Sequence, residues 1–109
     1  MIRVFVAGIF ATMLLSSVAA FAADTSILTI KDHRFSPETL TVPAGERVKV
    51  TITNADSTAE EFDSSDLHVE KMIPGGQKAS IFIGPLKPGV YSFVGELHES
   101  TARGKVVAK

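Results

Sequence analysis

From Ile27 to the C-terminus apolar and polar residues alternate in short runs that turn residues interrupt at regular intervals. Arg47-Val48-Lys49-Val50-Thr51-Ile52-Thr53 alternates strictly, which predicts a half-buried strand with Val48, Val50 and Ile52 on one face. Ile27–Ile30 and Thr39–Val42 read as strands, Ala79, Ile81 and Ile83 repeat the alternation, and Tyr91 with Phe93 does so again. Lys105-Val106-Val107 supplies the last strand. Between them stand Ser36-Pro37, Pro43-Ala44-Gly45, Asn54-Ala55-Asp56-Ser57, Pro74-Gly75-Gly76, Pro85, Pro88-Gly89 and Gly104, all residues that favour turns. Helical spacing is absent here, apart from a one-turn helix that Ser and Asp residues would cap around Asp63 to Leu67. About seven strands at intervals of roughly 8–12 residues predict an all-β, antiparallel Greek-key sandwich. In Leu86-Lys87-Pro88-Gly89-Val90-Tyr91 the tyrosine follows a Pro-Gly corner, where its hydroxyl would bond back to the loop.

The first residues follow a different rule. Met1-Ile2-Arg3 leads into an apolar run from Val4 to Leu15 and then into the small-residue stretch Ser16 to Ala23. This reads as a secretory signal peptide over residues 1–22, cut after Ala22, with Ala20 and Ala23 as alternative cut points. One domain, residues 24–109, would then function in the periplasm. The chain's formal charge is −1 and it has one tyrosine, no tryptophan and no basic run, which disfavours nucleic acid as a partner. It also has no cysteine, which removes disulfides, thiolate nucleophiles and Zn–thiolate, Fe–S and blue-copper sites.

Carboxylates concentrate in two places. Glu60, Glu61, Asp63, Asp66 and Glu70 lie together with His68 and are followed by Met72; Glu96, His98 and Glu99 form a second group. Strand ends and loops of a Greek-key sandwich gather at one end, so the two groups can meet. If the strand through Tyr91 and Phe93 continues, Glu96 and His98 point the same way. Carboxylate, imidazole and thioether donors suit iron, Cu(II) or manganese, which makes Glu61, Glu96 and His98, with Glu60 or Met72, candidate metal ligands. The plain alternative is a solvated acidic face that Lys71 and Lys78 partly neutralise. Hydrolytic chemistry has no support, since neither a Gly-x-Ser-x-Gly elbow nor a phosphate-cradling loop occurs.

The order of several motifs is similar to the cupredoxin pattern: Phe35-Ser36-Pro37, Leu40-Thr41-Val42-Pro43-Ala44-Gly45, Asn54, Leu86 through Phe93, and His98 ahead of Gly104-Lys105-Val106-Val107. In that resemblance His98 matches the C-terminal histidine ligand and Gly95 stands at the cysteine position. The axial methionine falls near Thr101 or Ala102, and the first histidine falls at Glu60 or Glu61. The chain resembles the cysteine-free cupredoxin-like domains of the EfeO type, and more closely the small periplasmic cupredoxin-like component of Ftr-type ferrous iron uptake systems. The motifs concerned are Glu61-Phe62-Asp63-Ser64, Leu67 with Glu70-Lys71, Gly84 through Gly89, and Phe93 through His98 with Thr101 to Gly104. The resemblance implies an iron or copper ion as ligand, and as partners a periplasmic iron-binding protein and an inner-membrane iron permease. Two functions are expected on this basis: a metal-binding or one-electron accessory protein, or a metal-free acidic module that docks on a basic partner. An independent oxidase is a weaker third, because a single small domain offers few groups to tune a redox metal.

Overall fold

Alternation governs much of the chain from Ser26 to Ala108. The computed structural model describes residues 23–109, with side chains from Ser26 onward; the leader expected over residues 1–22 lies outside the described residues. Nine strands follow in order: β1 (Ala23–Lys31), β2 (Arg34–Ser36), β3 (Thr39–Val42), β4 (Val48–Asn54), β5 (Glu60–Ser64), β6 (Val69–Ile73), β7 (Lys78–Ile83), β8 (Gly89–Gly95) and β9 (Arg103–Ala108). The one 3-10 turn among the described residues, Glu96–His98, leaves β8 directly.

The strands form two sheets, ordered β2-β1-β4-β7 and β3-β9-β8-β5-β6. The all-β sandwich is therefore the one the spacing predicts, with a difference in detail: β1 runs parallel to β4 and β3 parallel to β9. Parallel neighbours need a crossover between sheets, and the periodicity of one strand carries no information about its partner's direction. Two further expectations change. The one-turn helix around Asp63 to Leu67 is instead the end of β5 and the turn into β6, closed by the Leu67 amide donating to Ser64 Oγ at 3.1 Å. The regular structure after β8 is the 3-10 turn, so period-two alternation stops at Gly95 and does not reach Glu96 and His98.

Val48, Val50 and Ile52 of β4 face inward, and on β7 Ile81 and Ile83 pack from the same sheet. Phe62 of β5 and Phe93 of β8 meet them from the other. Phe35, Phe62 and Phe93 form an aromatic trio with centroids 4.9–6.1 Å apart, two of the three contacts edge-on, a geometry favoured by the ring quadrupoles. Tyr91 Oη donates to the Lys87 carbonyl at 2.8 Å, which makes the expected tyrosine corner.

Candidate functional site

The aromatic trio supports the end of the sandwich where the candidate ligands lie. Phe62 is two residues from Glu60 and Phe93 two from Gly95, so alternation places each pair on one face of its strand. The burial pattern of β5 turns Glu60, Phe62 and Ser64 inward and leaves Glu61 and Asp63 half-buried on the other face. That register puts Glu60 and Glu61 on opposite faces of β5 and separates their surroundings.

Glu60 is 1% exposed, and its carboxylate is fully engaged by protein donors. Oε1 accepts from the Glu61 amide at 3.0 Å and from the Leu97 amide at 2.9 Å; Oε2 meets His98 Nδ1 at 2.5 Å. A buried carboxylate persists only when paired and hydrogen-bonded. Here the pairing ties β5 to the 3-10 turn. Phe62 and Asp63 pair with Gly95 and Val94. Where that ladder ends, the Glu60 side chain takes up the Leu97 amide that a strand partner would otherwise hold. His98 remains 24% exposed, and with Nδ1 committed to Glu60, Nε2 is the nitrogen left for a ligand.

His33, which the sequence gives no reason to single out, completes this end. Its ring lies on that of His98 with centroids 3.6 Å apart and planes 11° from parallel. His33 and Asp32 form the two-residue turn between β1 and β2, both with positive φ, 55° and 52°. Asp56 spans that turn: its Oδ1 accepts from the Asp32 amide at 2.8 Å and its Oδ2 from the His33 amide at 3.0 Å. The bond from the His33 amide holds the Asp56 carboxyl below its ordinary value; desolvation opposes it, and the Asp32 amide and the nearby imidazoles add to the lowering. The signal available in the sequence was the Asn54-Ala55-Asp56-Ser57 turn, whose buried Asn54 accepts from the Asp56 amide at 3.0 Å.

Glu61 and Glu96 belong to the opposite face of β5. The Glu96 carboxyl is pushed above its ordinary value, first by the charge of Glu61, then by slight desolvation, Asp63, a hydrogen bond with Glu61, and Glu99. Met72 sits directly across from Glu61 on β6 and is 48% exposed. The structure thus brings together Glu60 with His98, and Glu61 with Glu96 and Met72, as two neighbouring groups. Among the described residues no three His, Asp or Glu side chains converge on one point. Lys71 and Lys78 do not neutralise the acidic face by ion pairing, because the one close contact between a basic and an acidic side chain among the described residues is His98 with Glu60.

An enclosed copper centre does not fit this arrangement. A Cβ added at Gly95 would lie 2.6 Å from Glu60 Cδ and 2.7 Å from Ala102 Cβ, so the space a ligating side chain would need is filled. Ala102 is fully buried and has no donor atom, and the Thr101 hydroxyl donates to the His33 carbonyl at 2.6 Å.

Comparison with known proteins agrees with this fold. A family model described as a cupredoxin-like domain matches residues 4–108. An uncharacterised protein of Rickettsia prowazekii (strain Madrid E) is 44% identical over 80 residues, 73% of this chain and 64% of that protein. Among solved structures, amicyanin from Paracoccus versutus superposes with a TM-score of 0.62 at 19% identity, covering 80% of this chain and 83% of that one. A purple cupredoxin from Nitrosopumilus maritimus gives 0.61 at 21%, covering 77% and 99%. At those identities the likeness is one of fold.

Proposed function

Because the chain belongs to the cupredoxin-like domain family yet has no cysteine, we propose that it is a periplasmic carrier that takes iron or copper as cargo at its rim, on Nε2 of His98. The observation that carries this reading is the bond from His98 Nδ1 to the buried Glu60 carboxylate at 2.5 Å. Metal-binding histidines characteristically commit one nitrogen to a carboxylate, which fixes the tautomer and aims the other nitrogen. Glu60 is then a positioning group and not a ligand. Glu61, Glu96 and Met72 form the adjoining donor face, whose carboxylates and thioether suit iron or Cu(II).

An incomplete donor set suits transfer better than storage, since an ion held by few protein ligands keeps positions open for an acceptor. The partners this favours are those of a ferrous iron uptake system: a periplasmic iron-binding protein and an inner-membrane iron permease. The role assigned to the domain is to assist delivery or oxidation of Fe(II) beside them.

Anaerobic titration with Fe(II), and separately with Cu(II), tests the reading. One ion should bind, and His98→Gln, which still offers a donor to Glu60, should lose at least tenfold in affinity, as should Glu96→Ala. Saturating metal at about 100 times Kd should add about 2.7 kcal/mol to stability. Wild-type protein that neither binds an ion nor melts higher in its presence would sink the carrier reading.

One observation favours a second reading. The repulsion that raises Glu96 is relieved by no internal cation among the described residues, and such a face would steer a basic partner toward it. A metal-independent association whose on-rate falls steeply with salt would identify the domain as that docking module.

A further inference from the structure

The turn at Asp32 and His33 is held by more groups than a two-residue hairpin loop requires. A non-glycine residue with positive φ carries strain of about 1 kcal/mol or more and persists where its surroundings over-determine it. Three residues from two segments distant in sequence do so here. The Asp56 carboxylate accepts both amides of the turn, the Thr101 hydroxyl donates to the His33 carbonyl at 2.6 Å, and Thr58 Oγ1 lies 3.3 Å from His33 Nε2. These tethers are polar, and their common result is to place one imidazole flat against His98.

We infer that His33 is a positioning residue for the His98 site: its ring covers one face of the His98 imidazole while Glu60 holds the edge, and together they fix the direction of His98 Nε2. The functional meaning of this rests on the carrier reading above; the placement of His98 by His33 does not. The geometry separates positioning from ligation. Rings 3.6 Å apart and 11° from parallel aim their in-plane lone pairs side by side, not at one point. An ion on the lone pair of His98 lies in the plane of that ring, out of line with any nitrogen of His33. What His33 supplies is therefore a flat surface, and a phenyl ring of similar outline should supply it equally well.

The test compares His33→Asn, a residue that tolerates positive φ but has no ring, with His33→Phe, which keeps a ring without nitrogen. Imidazole 1H–15N spectra report the tautomer and mobility of His98, backbone amide spectra check the fold, and anaerobic Fe(II) titration reads affinity. In the wild type His98 should show one tautomer, protonated on Nδ1. His33→Asn should broaden or mix that pattern and weaken Fe(II) binding at least tenfold with the backbone spectrum largely preserved, and His33→Phe should restore both. An unchanged His98 pattern in His33→Asn overturns the inference. So does a loss in His33→Phe as large as in His33→Asn while its backbone spectrum and His98 pattern stay as in the wild type, which would make His33 a nitrogen donor. Should the wild type take no metal, the carrier reading fails, while the ring spectra still decide whether His33 positions His98.

Discussion

Asp56 shows how one carboxylate can shape a site it does not enter. It accepts two amides of a left-handed turn, and those bonds strengthen its charged form. Its folded-state carboxyl lies below the ordinary value of 3.8, so its stabilising contribution is complete above that value and is lost as pH falls through the lower, folded one. The group is partly exposed to solvent, which limits the effect to about 1 kcal/mol. Asp56→Asn should therefore lower the urea midpoint at pH 7, and the gap between variant and wild type should narrow as pH falls below 3.8. A gap that stays constant down to pH 2 would mean that the carboxylate charge is not what holds the turn.

At the scale of elements, the junction of β8 with its 3-10 turn decides which side chains meet. Glycine at position 95 lets β8 approach both β5 and the segment after the turn, since a Cβ would overlap Glu60 and Ala102. Gly95→Ala should cost about 2 kcal/mol, as overfilled sites do, and should disturb the His98 tautomer because Glu60 must give way. Chemical denaturation with the imidazole spectrum checks both; a fully stable variant would show that the site can relax. Much of the element structure was legible beforehand. The strict alternation of β4 and the Pro-Gly corner before Tyr91 are local signals, and local periodicity reports which face is buried. The 3-10 turn was not legible, because Glu96-Leu97-His98 continues an alternating pattern and is bent by a tertiary contact, the Leu97 amide on Glu60. Parallel pairing of β3 with β9 was hidden for a similar reason: it joins residues 39–42 to 105–108.

Across the whole molecule the charges are unevenly arranged. His98 on Glu60 is the one close contact between a basic and an acidic side chain among the described residues, while the charges of Glu61, Asp63 and Glu99 crowd Glu96 at one end. A carboxyl raised above its unfolded value takes up a proton more readily in the folded state, so its repulsion fades, and stability rises, as pH falls through the raised value toward 4.5. Glu96→Gln should remove that rise and stabilise the protein slightly at neutral pH, as pH-dependent melting will show; an unchanged profile would mean solvent already screens the cluster. The candidate site was half legible at this scale. His98 stood out through its neighbours in sequence and its resemblance, whereas His33 is 65 positions away and meets it only through the fold.

The overlap at Gly95 also bears on how such a protein can change. A cysteine introduced there meets the Glu60 carboxylate, and shortening Glu60 alone strips His98 and the Leu97 amide of their partner. Each first step toward a buried metal centre is thus worse than none, and only coordinated replacement of both positions escapes the loss. Gly95→Cys and Glu60→Ala should therefore each cost stability alone, and the double variant should lose less than the sum of the two.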